Sequence, residues 1–478
     1  MQASLAPSIA AEFADADLGD QRLNRRLRTI AVAAEGNPSA SLPEQAGSVA
    51  ALEATYRFYS NGRVTPDAVF APHQRATIRR ALEETNVLVI HDTTEFRFGG
   101  EKERDGLGWI NSSAQKGFLA HLTFCVAQNG RPLGTLGLHA WTRSGNVKGR
   151  RVRARSTYYG SDRESLRWQD AALAAGAALH GTSPIHVMDR EGDQFELLSL
   201  LLDHGERFII RMAHDRRLIA GRGKAESQYL FESMSSCRLH FEREIKLGPR
   251  GKSEGSNKDE VFPVRAGRMA RVQVRAGTRE IFRTHNGPAH TPASLTLQVV
   301  EVAEVNAPAG VVPVVWRIVT SESIDTNEQV ATIVDSYRQR WQIEEFFKAL
   351  KTGCSYERLQ IENARGLLLA LCVQLAVAWR LLLLRWATNH QPNAKATTVL
   401  EPQHLMLLRK LCLAETGRRM RSAPTVRTVL WELARLGGHV PNNGEPGWLV
   451  LRRGFQKLLA IERGWLLAHG PWRPAPSH

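Results

Sequence analysis

The 478-residue chain is poor in cysteine, with five residues at 125, 237, 354, 372 and 412. No Cys-x-x-Cys occurs, which excludes the usual structural zinc spacing, and an odd, scattered set is unlike a disulfide framework. A reducing cytoplasm is the expected setting. The first residues carry acids and no basic stretch leading into an apolar run, so no secretory signal is expected. Long hydrophobic runs are also lacking. The greasiest, 366–379, is interrupted by Gln374 and followed by Arg380; it reads as a buried helix too short to span a bilayer. Internal repeats and low-complexity tracts are absent. Negative charge is the scarcer sign: Asp plus Glu is 48 against 63 for Lys plus Arg, a net +15. That excess points to a polyanionic partner, most often nucleic acid, although a basic enzyme without one satisfies it too. With 43% apolar and 23% charged residues the chain is globular, not disordered.

Patterning divides the chain into five parts. Residues 1–75 read as helical, with Asp20 as N-cap of a basic helix and a second helix at 49–59. Its arginine cluster fits either a solvated face or phosphate contact. Residues 76–214 alternate strands and helices. A β-branched run at 87–92 ends in Asp92, and apolar runs at 117–127 and 133–143 flank Asn129-Gly130, which predicts a type I′ hairpin turn. A basic segment follows, with Arg143, Lys148, Arg150, Arg151, Arg153 and Arg155. Then come a helix at 164–179, a strand at 185–188 ending at Asp189, a helix at 194–203 and a strand at 208–211. Residues 215–320 lose helical periodicity and show period-2 runs at 270–274, 295–305 and 311–319, an antiparallel insertion opening on a charged loop at 246–258. Residues 321–387 and 388–478 return to helices, with breaks at 388–397 and 437–444.

Three acids carry the chemistry. Asp92 and Asp189 each end a buried strand, where α/β sheets place ligands, although a lone Asp there more often caps a turn. The third lies on a helix expected to run unbroken over 335–351. At 3.6 residues per turn, Tyr337, Arg340, Glu344 and Lys351 share a stripe about 60° wide beside an apolar face of Ile343, Phe346, Phe347 and Leu350. An ordinary amphipathic helix with ion pairs has the same spacing. Together the acids suit Mg²⁺ or Mn²⁺, hard cations that take carboxylate oxygens, and two such ions can serve phosphodiester chemistry.

At these residues a resemblance enters. Tyr337-x-x-Arg340-x-x-x-Glu344-x-x-x-x-x-x-Lys351 matches the Y-(2)-R-(3)-E-(6)-K signature of bacterial insertion-sequence transposases of the DDE class, those of kanamycin-resistance composite transposons among them. His91-Asp92-Thr93-Thr94 and Met188-Asp189-Arg190-Glu191-Gly192-Asp193 resemble the segments bearing that family's two aspartates. Leu18-Gly19-Asp20, Tyr56-Arg57-Phe58 and Ala434-Arg435-Leu436-Gly437-Gly438 extend the similarity along the chain. The resemblance implies a ribonuclease-H-like α/β core with a β-rich insertion, flanked by an N-terminal helical DNA-end-binding domain and a C-terminal helical dimerisation domain. It implies Asp92, Asp189 and Glu344 as catalytic residues and ligands of two Mg²⁺ or Mn²⁺ ions, with Tyr337, Arg340 and Lys351 on the terminal phosphate.

It further implies cut-and-paste transposition through a DNA hairpin, with double-stranded transposon ends and target as substrates and a homodimer in the DNA complex. Trp316, 28 residues before Glu344, matches a tryptophan that stacks on or replaces a flipped base; a core tryptophan would look the same. Arg211 matches a backbone-binding cation, and Arg22, Arg26 and Arg57 match arginines that grip the end. Leu23 stands where the family has a basic residue, so end recognition differs in detail. Trp341 fits either the flipped-base region or the core. Two other functions are compatible: a metal-dependent nuclease that joins nothing, and an inactive DNA-binding or inhibitory protein derived from a transposase.

Overall fold

The structure is a computed structural model that describes residues 8–99, 103–110, 115–142, 164–218, 228–248, 264, 266–284, 287–440, 442 and 444–470. The basic segment expected over 143–155 lies outside the described residues. In chain order the elements are α1 (Ile9–Glu12), α2 (Gln21–Gly36), α3 (Leu42–Ala46), α4 (Val49–Ser60), α5 (Pro66–Leu82), β1 (Val87–Phe98), β2 (Gly108–Trp109), β3 (Lys116–Ala127), β4 (Pro132–Trp141), α6 (Leu166–Ala178), β5 (Ile185–Met188), α7 (Phe195–Asp203) and β6 (Arg207–Arg211). There follow α8 (Leu230–Ser233), β7 (Arg238–Leu247), β8 (Arg268–Phe282), β9 (Ser294–Glu304), β10 (Val315–Thr320), α9 (Asn327–Arg338), α10 (Trp341–Lys348), α11 (Ala364–His390), α12 (Pro402–Thr416), α13 (Val426–Leu436) and α14 (Trp448–His469). They form two compact units. Unit one holds residues 1–84, 93–152 and 341–478; unit two holds 85–92 and 153–340.

Unit two is built on a sheet ordered β1-β5-β6-β10-β9-β8-β7. The first half of β1 pairs parallel with β5, and β5 parallel with β6. From β10 to β7 every pairing is antiparallel. Helices α6 and α7 make the crossovers that parallel strands require. Trp168, Leu197, Leu198 and Leu201 from them pack on Met188, Phe208 and Ile210 in one apolar core. This is the ribonuclease-H-like chain order with a β-rich insertion between β6 and α9.

In unit one the second half of β1 neighbours β3, and β3 pairs antiparallel with β4. Helices α5 and α11 pack on β4. The Trp379 indole of α11 donates to the Pro132 carbonyl at 3.0 Å, and the Arg80 guanidinium of α5 stacks over its ring at 3.9 Å. A buried polar cluster ties α1 to α5 and β4: Glu12 accepts from both Arg80 terminal nitrogens at 2.9 Å and from His73 Nδ1 at 2.6 Å. His73 Nε2 accepts from the Thr135 backbone at 3.1 Å, which places its proton on Nδ1. At the other end, α13 and α14 cross with Gly437 against Gly454, where backbones approach too closely for a Cβ.

Several expectations need correction. The helix over 335–351 is not continuous. It breaks after Arg338, where Arg340 N bonds to Tyr337 O in a tight turn, resumes as α10 and loosens into a π-helical turn at Ala349–Gly353. No Gly or Pro marks the break, and the helical-wheel argument for a stripe through Tyr337, Arg340, Glu344 and Lys351 loses the continuous helix it assumed. Strand β1 continues six residues past Asp92. The Asn129-Gly130 turn is not type I′, because Gly130 has φ +81° while Asn129 is not at positive φ. Gly130 N bonds to Ala127 O, and Ala127 N to Arg131 O, the pattern of a type I turn with a glycine bulge. Strand β7 takes in Lys246, assigned to a loop. A bulge between Leu239 and Phe241 shifts its alternation and hides the period. Helix α11 has 27 residues and is long and apolar enough to cross a membrane, contrary to the shorter run expected, yet 78% of its most apolar window is buried in the protein.

Candidate active site

The two aspartates are placed by strand register. Val89 and His91 of β1 lie opposite His186 and Met188 of β5, so Asp92 and Asp189 occupy the next paired position, on one face of the sheet. β5 ends there while β1 runs on, and burial relaxes at Asp92. The following residue of β6, after the Met188–Ile210 pair, is Arg211, in phase with both acids. β10 pairs Ile318 with Arg211, which puts Trp316, two residues earlier, on that same face. Alternation sends the histidines to the opposite face, where His91 Nε2 meets His186 Nδ1 at 3.0 Å and His186 Nε2 meets Glu206 at 3.3 Å. Both rings are fully buried.

Helix α9 closes the acid face. Its Tyr337, 6% exposed, sets its ring 6.2 Å from that of Trp316. Arg340, in the turn after α9, reaches within 3.6 Å of the Asp92 carboxylate. Asp189 uses Oδ1 to accept from Glu191 N at 2.8 Å, capping a short turn that carries Arg190. Arg211 donates to the Val315 carbonyl at 3.3 Å. Burial lowers its pKa, and the charges of Arg190 and Arg340 lower it further against a hydrogen bond to Tyr337. Three guanidiniums thus share a small region beside two carboxylates, a field suited to phosphate oxygens. Arg190 was missed as a site residue; its signal was its place directly after Asp189.

Unit two therefore brings together Asp92, Asp189, Arg211, Trp316, Tyr337 and Arg340. Glu344 and Lys351 belong to unit one. Glu344 is half-buried on α10, whose apolar side seats Ile343 and Phe346, the latter stacked on Phe124 at 4.5 Å. Lys351, in the π-helical turn, lies over the Phe96 ring at 5.5 Å. Burial lowers its pKa, with Glu357 and Glu95 opposing and Arg97 assisting. Trp341 is 55% exposed and is not a core residue. Of the N-terminal arginines, Arg22 and Arg26 lie on α2 and Arg57 on α4, helices that pack on each other. Arg22 pairs with Asp20 at 2.9 Å and Arg57 with Glu53 at 3.6 Å, both exposed.

Among the described residues no group of three or more His, Cys, Asp or Glu side chains stands together as a metal site. Asp92 and Asp189 are nevertheless a pair of hard oxygen donors side by side, the donor type that Mg²⁺ and Mn²⁺ accept while keeping places for substrate oxygens. The pair fits such an ion.

Residues 7–64 match the family model described as transposase DNA-binding, and residues 167–380 match the model described as transposase DDE domain. The first span contains Arg22, Arg26 and Arg57; the second contains Asp189, Arg211, Trp316, Tyr337, Arg340, Glu344 and Lys351, while Asp92 precedes it. The chain thus carries a transposase DNA-binding domain followed by a ribonuclease-H-like transposase DDE domain.

Proposed function

We propose that this protein is a cut-and-paste transposase of the Y-R-E-K group, which nicks each transposon end, forms a hairpin through the freed 3′-hydroxyl, reopens it and joins the end to target DNA. The observation that carries the proposal is the in-register pair Asp92 and Asp189 on the sheet face that also bears Arg211 and Trp316 and is closed by Tyr337 and Arg340. Asp92 and Asp189, with Glu344, would hold two Mg²⁺ or Mn²⁺ ions. Bound there, the ions would neutralise phosphodiester charge and make the attacking oxygen more acidic. Arg211 and Arg340 would grip the terminal phosphate bidentately, with Lys351 as a point charge and the Tyr337 hydroxyl as a further donor. Once phosphate arrives, Arg340 exchanges its contact with Asp92 for one with DNA. Trp316 would offer a stacking surface to an unpaired base, offsetting part of the cost of flipping it. Arg22, Arg26 and Arg57 would hold the end in a homodimeric complex, and the protein would act in the cytoplasm.

The test uses a plasmid carrying the DNA that flanks the reading frame on both sides, incubated with the full chain and Mn²⁺. Nicks at matched inverted repeats, hairpin ends and joined products are expected, all lost in Asp92→Asn, Asp189→Asn and Glu344→Ala while end binding persists. Cutting without joining would mean a nuclease. Metal-dependent cutting by the Glu344→Ala variant would overturn the assignment.

A further inference from the structure

The direction of the Glu344 carboxylate depends on the rotation of the short helix α10. Helix α10 has eight residues, is cut off from α9 by a turn and runs into a π-helical turn. On such a helix a rotation of a few tens of degrees about the axis would swing a carboxylate by ångströms. Its apolar side is seated by Ile343 and Phe346. A second restraint stands on the residue next to Glu344. Glu345, 17% exposed, has both carboxylate oxygens engaged: Oε1 accepts from Lys348 Nζ at 2.7 Å, and Oε2 from Arg385 at 2.8 Å and from the Trp448 indole at 3.1 Å. The Arg385 guanidinium in turn lies over the Trp448 ring at 5.1 Å. Burial pushes the Glu345 carboxyl up, but Lys348, Arg385 and Trp448 hold it below the usual range, so it stays ionised. Arg385 belongs to α11 and Trp448 is the first residue of α14, so one carboxylate ties α10 to two long helices, one of them in the C-terminal region.

We infer that Glu345 is a positioning residue: with Arg385 and Trp448 it fixes the rotation of α10 and so the aim of the neighbouring Glu344 carboxylate. The inference rests on the reading of Glu344 as a metal-binding catalytic acid. Trp448 thereby gives the C-terminal helix α14 a hold on α10 through its indole N–H.

The test compares the full chain with Glu345→Ala, Glu345→Gln and Trp448→Phe, the last removing one donor while preserving charge and most of the volume. Nicking of the flanking-DNA plasmid is titrated with Mn²⁺, and Mn²⁺ binding to the protein is followed separately by the paramagnetic resonance of the free ion. Positioning partners of this kind change metal affinity or rate by about 10–100-fold. Glu345→Ala should show such a loss in nicking rate, a raised Mn²⁺ requirement and weaker Mn²⁺ binding, with end binding and melting temperature little changed. Glu345→Gln should recover part of it, and Trp448→Phe should shift the Mn²⁺ requirement several-fold in the same direction. Should Glu345→Ala fail to fold, Trp448→Phe decides. If the wild type nicks and the folded variants match it in both Mn²⁺ readouts, the positioning role is wrong. If the wild type binds Mn²⁺ but cuts nothing, the transposase reading fails, and the role with it.

Discussion

At the scale of single residues, the site is a balance of close opposite charges. Arg340 stands 3.6 Å from Asp92, with both side chains 15% exposed, so each offsets the other's loss of water. Arg340→Ala is expected to lower hairpin formation by about 100-fold, as for removal of one preorganised donor, with end binding retained; unchanged hairpin yield on denaturing gels would remove Arg340 from the site. A second buried charge sets acid stability. Burial raises the Glu12 pKa, but His73 and Arg80 outweigh it and hold it at about 2 against an ordinary 4.5. The folded value is depressed, so its stabilisation is full above 4.5 and drains away as pH falls towards about 2. Burial also lowers the His73 pKa below 6.5, so protonation of the unfolded chain adds to the loss on acidification. Melting temperature should therefore fall steadily below neutral pH, and Glu12→Gln should melt lower at pH 7 and show a flatter acid limb. A parallel acid limb would contradict the Glu12 account.

Among elements, legibility varied with how local the cause was. Caps were plain: Asp20 accepts from Arg22 N at 2.8 Å, as its position before an apolar-periodic run suggested. The strands bearing Asp92 and Asp189 were plain too, because buried parallel strands read as short β-branched runs. The break after Arg338 was not, since no local breaker causes it, and the stripe through Glu344 depended on its absence. Strand β7 was lost to a bulge. Helix packing by glycine was invisible as well. A Cβ built on Gly454 would lie 1.7 Å from the Leu433 carbonyl, and one on Gly437 1.9 Å from that of Val450. Gly454→Ala should destabilise the α13–α14 pair by about 1–3 kcal/mol through overpacking. Gly464→Ala, where nothing lies within 4 Å, should instead gain up to about 1 kcal/mol from helix propensity. Thermal melts of the two variants test the pair together; equal shifts would deny the close crossing.

For the molecule as a whole, composition was informative about partner and silent about site. A net charge of +15 suits a polyanion, and the matched DNA-binding and DDE domains agree with it. Binding to end DNA should weaken steeply with salt as counterions are released. On the proposal that Arg22 contacts a phosphate, Arg22→Ala should reduce the log–log slope by about 1. An unchanged slope would show that Arg22 stays with Asp20. The acids were legible as separate motifs, but that Asp92, Asp189, Arg211 and Trp316 share a face follows only from register, which no single segment contains.

That register has a consequence for quality control. A one-residue slip of β1 would drive a carboxylate into the apolar interior and lift an imidazole into its place, and the same slip in β5 would do likewise. Misthreaded copies would thus lose their fold and their chemistry in one stroke. The hydrogen-bonded row His91–His186–Glu206 on the opposite face depends on the same alignment.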